Sequence, residues 1–531
     1  MVFSRRGMIK GTLATGAVIA APRGAAAGVP APVERWGLHE VTLTGPANGN
    51  PFIDVDLAAM FSNGRISVAI PGFHDGEGTY RIRFSPPQTG RWTWTTTSNA
   101  KALDGRTGAF DCVAPRAGNR GPVEITPDGY HFRHADGTPF KPVGTTAYSW
   151  ALQSDQRCAE TLKTLAASPF NKIRMCVFPN VASVATHPFA RTGSGPKDWD
   201  PGRFDPAYFR RFEDRIRKLC ELGIQADVIL FHPYDKARGY SDMARPDDER
   251  YLRYVAARFG AFRNVWWAMA NEYDNVESKS VADWDHLFGV LVAADPHRRL
   301  RSIHQIDTYY DHRKPWITHA SIQHGAVALD DGRVHPHRNF AQKAVIFDEV
   351  IYEGNSSKRW ANLSGEELVE RHWWGALGGC YVGHGEVITN DDNADESWLG
   401  QGGRLRGTSP PRLAFLRQLL ESVPGPGIDP IQQFWDYHLG GREFTWYLRY
   451  FGRQRPIEWP VVLPIRATDP HDAYCVDVID TWNMTIERLP GVFQMSQLNT
   501  YDSHDPARPT ISLPGKPYMA VRIEKMGKPF R

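Results

Sequence analysis

The chain has 531 residues, 41% hydrophobic and 23% charged, with a formal net charge of +3. This is a globular composition, too long for one compact domain and suited to two or three, and so small a net charge excludes an extended nucleic-acid surface. Six cysteines with no CxxC pair argue against a disulfide framework or a zinc site, and downstream of the N-terminus no run of 18 apolar residues reads as a membrane span.

Ser4-Arg5-Arg6-Gly7-Met8-Ile9-Lys10 precedes a stretch of small and apolar residues from Gly11 to Ala21, and Ala25-Ala26-Ala27 supplies a cleavage site. Basic residues, apolar run and small-residue site in that order resemble a twin-arginine export signal over residues 1–27. The resemblance implies passage through the twin-arginine translocase and a periplasmic or secreted protein. From Val33 to about residue 118, β-branched or alternating runs such as Val41–Thr44, Ile53–Leu57, Tyr80–Phe84 and Trp92–Thr95 are punctuated by Asn48-Gly49, Asn63-Gly64, Asp75-Gly76 and Thr89-Gly90. That spacing predicts a β-sandwich. Between Gly121 and Pro142, Asp136-Gly137 predicts a hairpin turn joining Tyr130-His131-Phe132 to Phe140-Lys141-Pro142.

From Val143 strands and helices alternate. The expected strands are Val143–Tyr148, Asn171–Phe178, Ile224–Phe231, Val265–Asn271, Arg301–His304, Ala320–Gln323, Val345–Glu349 and Cys380–Val382. Helices are expected near Gln156–Ala167, Ala207–Leu222, Asp247–Phe262, Val281–Ala294, Ser364–Leu377 and Pro411–Ser422, the fifth opened by a capping box of Ser364 and Glu367. A long Pro- and Gly-rich loop is expected over residues 179–206. Eight strands with interleaved helices predict an α/β fold, a (β/α)8 TIM barrel over 119–423. Beyond it, Phe444–Leu448, Tyr474–Ile479 and Met519–Ile523 predict a C-terminal β-sandwich domain over 424–531.

The chemistry is expected at the C-terminal ends of the barrel strands. The apolar run Val265–Ala270 ends in Asn271-Glu272, and Val345-Ile346-Phe347 ends in Asp348-Glu349, the second glutamate 77 residues after the first. That distance fits three βα units, so both acids can face one barrel mouth. Alternation places Val345, Phe347 and Glu349 on one strand face and Asp348 on the other. Two carboxylates across a mouth suit glycoside cleavage, one as acid/base and one as nucleophile. No cofactor is expected. His335-Pro336-His337 is too short and unaccompanied for a metal site; a cation in the loop after strand eight, among His384, Glu386, Asp391 and Asp392, is an alternative to a sugar-lining role.

Asn50-Pro51-Phe52, Pro71–Gly76, Tyr80–Phe84 and Gly90-Arg91-Trp92 resemble the immunoglobulin-like domain found ahead of many bacterial glycosidase barrels. Asn271-Glu272 and Glu349, with Arg174 near the end of strand two, resemble the large glycosidase clan whose acids follow strands four and seven. Phe347–Gly354 together with Gly144–Trp150 resembles its apiosidase-like members and their uncharacterised relatives, although apiosidases are expected to carry Asp where this chain has Glu272. The resemblance implies a retaining glycosidase acting on a carbohydrate, with Glu272 as acid/base and Glu349 as nucleophile. It further implies that Asn271 binds the neighbouring sugar hydroxyl and that Arg174 orients the nucleophile. Tyr148, His232, His324, His384 and Trp398 stand as further substrate contacts, His324 within reach of the nucleophile. The alternative is a non-catalytic carbohydrate-binding protein on the same scaffold.

Overall fold

A computed structural model describes residues 31–324, 334–431, 438–468 and 472–527; the export signal lies outside them. Behind the N-terminal strand Val33–Glu34, strands His39–Thr44, Leu57–Ser62, Ser67–His74, Thr79–Phe84, Gly90–Ser98 and Thr107–Val113 form two packed antiparallel layers. Strand Ser67–His74 belongs to both: its first half pairs with Leu57–Ser62 and its last three residues with Thr79–Phe84. The turn is made where Gly72 leaves no room for a side chain, because a Cβ there would stand 2.7 Å from Leu57. Phe61, Ile82, Phe84, Trp92 and Phe110 fill the space between the layers.

The barrel strands are β1 Gly144–Thr146, β2 Lys172–Cys176, β3 Gln225–Phe231, β4 Val265–Ala270, β5 Arg301–Ser302, β6 Ala320–Gln323, β7 Val345–Glu349 and β8 Tyr381–His384. All pairings are parallel, in the order β5-β4-β3-β2-β1-β8-β7-β6. The outer helices are α1 Asp155–Ala166, α2 Pro206–Glu221, α3 Arg245–Phe259, α4 Val281–Ala294, α5 His335–Ala341, α6 Gly365–Leu377 and α7 Ser409–Ser422. On α2, Phe209, Phe212, Ile216 and Leu219 form the buried stripe, and Asp205 caps its first turn. The capping box at α6 is present in both directions, Ser364 Oγ accepting from Glu367 N and Glu367 from Ser364 N.

No helix is assigned from sequence to the β5–β6 or β6–β7 connection, and one expectation for these elements, the loop after β2, differs from the structure. The β5–β6 connection, residues 303–319, carries no helix. His335-Pro336-His337 opens α5, where Pro336 fits the first turn. The region read as a loop contains a hairpin, Phe189–Arg191 with Trp199–Phe204, held by Phe189 stacking on Trp199 at 5.1 Å. In the C-terminal region Asp429–Pro430, Leu439–Arg442, Trp446–Tyr450, Met519–Lys525, Ala473–Asp480 and Thr485–Arg488 make one antiparallel sheet. All six cysteines are free thiols, and no described helix is long and apolar enough to cross a membrane.

The lower end of the barrel is closed by the hairpin Phe132–His134 with Pro139–Phe140. Phe132 stacks on Trp266 at 5.3 Å, with Ile346 and Tyr381 beside it. The sandwich is joined to the barrel by buried charges. Arg83 grips Glu213 of α2 through two bonds of 2.7 Å and donates to Arg258 O at 2.8 Å, while Arg258 of α3 pairs with Asp75 at 2.8 Å. Removing one partner leaves a buried charge unmatched. Glu213→Ala is therefore expected to lower stability in urea unfolding by about 3 kcal/mol, the lower part of the range for broken buried pairs; an unchanged midpoint would mean that these ions do not hold the two units together.

Candidate active site

Above the apolar plug the barrel is ionic. Lys172 Nζ lies 5.7 Å from the Trp266 ring centroid and pairs with Asp227 of β3 at 2.6 Å and Asp348 of β7 at 2.7 Å. All three side chains are at most 1% exposed. One turn of pleat higher, Arg174 donates to Glu349 Oε1 at 2.7 Å and to Asn271 Oδ1, with its Nε 4.0 Å from Asp348. Lys172 and Arg174 are two apart on β2 and so share its inner face.

On β7 alternation holds as far as Asp348. Val345 and Phe347 pack outward beneath α5 and α6, and Ile346 and Asp348 point inward. Glu349 was expected on the face of Phe347. It instead turns inward as well, because the β6–β7 register slips at that level and Gln323 pairs with Glu349, passing over Asp348. Glu272 reaches the mouth by another device. It follows β4 in the left-handed region, φ 44° and ψ 54°, a conformation that costs a non-glycine residue free energy and is found where a site demands it.

The two glutamates are joined by a chain of hydrogen bonds. Tyr148 OH donates to Glu349 Oε1 at 2.5 Å and lies 3.3 Å from Asn271 Nδ2. Asn271 Nδ2 donates to Tyr234 OH at 2.6 Å, and Tyr234 bonds the Glu272 carboxyl. Their charge states diverge. Burial, reinforced by the negative Glu349, pushes Glu272 up to about 7 against neutral donors from Tyr234, Asn275 and Gln323. Burial also works against the charge of Glu349, but His304, Arg174, Tyr148 and Tyr352 outweigh it and hold that carboxyl below its ordinary value. His304 is itself held down to about 4 by burial and Arg174. It is uncharged near neutrality, so Arg174 is the cation that keeps Glu349 ionised.

The remaining expected contacts divide. Tyr148, Asn271 and Arg174 converge on the glutamates. His232 is fully buried with both ring nitrogens bonded to backbone, to Phe178 O at 2.9 Å and Tyr234 N at 3.2 Å; it orients Tyr234, whose ring stacks on it at 5.3 Å. His324 meets Glu349 through backbone, its N–H donating to Glu349 O at 2.9 Å, while its ring packs against His337. The imidazole beside the nucleophile position is His304, 3.7 Å from Glu349 Oε1. His384 and Trp398 point away from the mouth, into the layer between barrel and helices, both bonded to Thr145 Oγ1 at 2.9 Å. Tyr234, His304, Gln323 and Tyr352 were not singled out from sequence; all four lie at or just beyond the ends of strands, the signal that marked Glu272.

Glu353, His384 and Glu386 are a group among the described residues whose ligand atoms lie within 4.8 Å of one another. Glu353 has no capacity left for an ion. Its Oε1 accepts from Thr408 N and Oγ1 at 2.6 and 2.9 Å, and its Oε2 from Ser409 N and Oγ at 3.1 and 2.5 Å, which fills the lone pairs of a carboxylate. Glu386 accepts from Arg406 N and Gly407 N at 2.6 and 2.8 Å. The pair anchors the start of α7.

A family model described as "Apiosidase-like, catalytic domain" matches residues 126–401, just over half of the chain. The chain belongs to the apiosidase-like family. It is a glycosidase built on a (β/α)8 barrel. Two domains of unknown function, DUF5060 and DUF5605, match residues 32–99 and 435–524. The chain is similar to a protein of Bacteroides vulgatus ATCC 8482 provisionally assigned to the glycoside hydrolases. They share 38% identity with a TM-score of 0.89, over 93% of this chain and 99% of that one. A family 5 glycoside hydrolase from the same organism shares the fold at 15% identity and TM-score 0.57, over 76% of this chain and 94% of that one. No curated protein matches the chain in sequence.

The ionic layer has its own signature in acid. Asp348 is held well below the carboxylate range by Lys172 and Arg174 despite its burial, so its contribution to stability is complete above the unfolded value of about 4 and is lost as pH falls toward the folded one. Lys172→Met is expected to destabilise this glycosidase by about 3–5 kcal/mol at pH 7, and by less at pH 4, where the stranded carboxylate takes up a proton. Equal losses at the two pH values in urea unfolding would show that the lysine acts through packing alone.

Proposed function

We propose that this glycosidase cleaves its substrate with retention of anomeric configuration by double displacement. Glu272 acts as acid/base and Glu349 as nucleophile. The observation that carries this reading is the divergence of the two carboxyls, one pushed up to about 7 and the other kept ionised by Arg174 and two tyrosines. Retaining chemistry needs that pair of states at the start: a proton for the leaving oxygen and a charge for the anomeric carbon. Loss of the leaving group neutralises Glu349 as an ester. Glu272, relieved of that repulsion and now deprotonated, draws a proton from the incoming water and completes hydrolysis. Arg174 and Tyr148 hold Glu349, and Asn271, oriented by Arg174 and Tyr234, is placed to bind a sugar hydroxyl next to the anomeric centre.

The substrate class we propose is an oligosaccharide derived from a plant or bacterial polysaccharide, attacked from its end. The hairpin after β2, packed against the Tyr234 loop through Trp199 Nε1 and Arg238 O at 2.8 Å, supports a walled pocket over an open cleft. The units of the mature enzyme are residues 33–118, 119–423 and 424–531, and it reaches the periplasm or exterior through the twin-arginine translocase.

A panel of aryl glycosides and plant oligosaccharides, pentofuranosides included, tests the chemistry. Glu272→Gln and Glu349→Gln should each lose at least about 100-fold in kcat/KM, and NMR of the first product should show the substrate's anomer. Inversion, or near wild-type rates in either variant, would overturn the assignment. The rate should fall as pH rises through about 7, where Glu272 loses its proton, and fall again below the ordinary carboxylate range, where Glu349 gains one. Changing both Arg5 and Arg6 to Lys should leave the protein in the cytoplasmic fraction; undiminished export would exclude the twin-arginine route.

A further inference from the structure

The turn that carries Glu272 is tied down by the residue two places on. Asp274 Oδ1 accepts from Ile306 N at 2.9 Å, and its Oδ2 accepts from Asp307 N at 2.9 Å and from Thr308 N at 2.6 Å. Three consecutive backbone N–H groups thus converge on one carboxylate, whose charge strengthens each bond. They belong to the start of the β5–β6 connection, where no helix takes them up. We propose that Asp274 is a positioning residue: by gripping residues 306–308 it keeps Glu272 in its left-handed conformation, with the carboxyl at the mouth. The inference rests on the acid/base role proposed above for Glu272.

Left-handed backbone at a non-glycine residue persists only where its surroundings over-determine it. The bonds inside the turn do not do this. Asn275 N donates to Glu272 O at 2.9 Å, which closes a turn over Tyr273 and Asp274 and leaves the φ of Glu272 free. The constraint comes from outside the turn. Tyr273 N donates to His304 O at 2.9 Å and Tyr273 OH to Thr308 O at 3.0 Å, and Asp274 adds its three bonds to the same stretch. That stretch is a firm anchor. Further along it, Tyr310 and Lys314 both hold Asp285 of α4, Lys314 at 2.6 Å, and Arg301 of β5 donates to Trp316 O at 2.9 Å. On the other side the turn reaches the carboxyl itself, through Asn275 Nδ2 at 3.5 Å from Glu272 Oε2.

The consequence is specific to one half of the chemistry. Without the grip, Glu272 relaxes toward right-handed backbone and its carboxyl moves off the leaving oxygen. Glu349, held by Arg174 and Tyr148, stays in place. A nucleophile without its acid still cleaves bonds whose leaving group needs no proton. A general loosening of the fold would slow every substrate alike.

Phenyl and dinitrophenyl glycosides of the sugar turned over in the panel separate these outcomes on the full chain. Asp274→Ala should lose about 100-fold in kcat/KM on the phenyl glycoside, whose poor leaving group needs the acid, and less than about 3-fold on the dinitrophenyl glycoside. On the latter kcat and KM should fall together, because the glycosyl-enzyme accumulates when water lacks its base. Equal losses on both substrates, or no loss on either, overturn the proposal. Glu272→Gln, measured beside it, should show the same dependence on leaving group; if it does not, the acid/base reading itself has failed and the proposal falls with it. Hydrogen exchange, which needs no substrate, should quicken in Asp274→Ala at residues 272–276 and 306–308 and not in the barrel strands; unchanged exchange at those residues overturns the grip. If Asp274→Ala does not fold, Asp274→Asn, which keeps the shape and discards the charge, decides by the same ratio of losses.

Discussion

The arrangement depends on two cations that β2 sends into the barrel. Lys172 and Arg174 are at most 1% exposed, shut away from bulk solvent. A buried charge that is not matched costs several kcal/mol, so Asp227, Asp348 and Glu349 are fixed in place by electrostatics as much as by the backbone. The apolar plug of Phe132, Trp266 and Tyr381 below them removes solvent from that side. The interior is consequently layered, apolar at the base, ion-paired in the middle and reactive at the mouth, and each layer sets the dielectric for the next.

That layering explains how two glutamates in one mouth come to opposite charge states. Glu349 sits at the top of the ionic layer, within reach of Arg174, and its charge completes the pairing there. Glu272 stands one step outside, among neutral donors, and among the described residues meets the field of Glu349 without a cation of its own. Both positions need irregular backbone. A regular β7 would have sent Glu349 outward beneath α5, and an ordinary right-handed turn after β4 would re-aim Glu272. Strained or slipped backbone at these two points, and again at Ile351 with φ 70°, is where the fold departs from local preference in favour of the site.

Much of this was legible in the sequence because barrels write themselves in a simple period. Short, mostly apolar runs alternating with amphipathic stretches located the strands, the fifth only weakly, and acids at strand ends marked both glutamates. Four features did not follow from the period. The inward turn of Glu349 comes from a register slip between β6 and β7, which depends on pairing and leaves no local trace. Lys172 and Asp227 were visible as charges inside apolar strands, but only the folded neighbourhood shows that they answer each other across β2 and β3. His384 and Trp398 have the composition of a sugar site, yet Thr145 holds both on the outer side of the barrel wall. His232 lies in the right place but spends both nitrogens on backbone, so its effect passes through Tyr234.

The seam between β5 and β6 ties these observations together. The connection there lacks a helix, and backbone contact is reduced to bonds such as Thr318 N to Arg301 O at 2.9 Å. A barrel closed by a full ladder at this point would use its strand ends for backbone pairing. Here the side chains of His304, Ser321 and Gln323 do the closing: Ser321 Oγ lies 2.6 Å from Asp348 Oδ2 and 3.1 Å from His304 Nδ1, and His304 Nε2 lies 3.1 Å from Gln323 Oε1. The site's electrostatics and the barrel's closure are thus carried by the same polar side chains. Such a chain transmits a change in one member to the others because each buried donor must have an acceptor. The weakest seam of the sheet is for that reason the place where the charge of Asp348, fixed deep in the barrel, can be felt at the mouth.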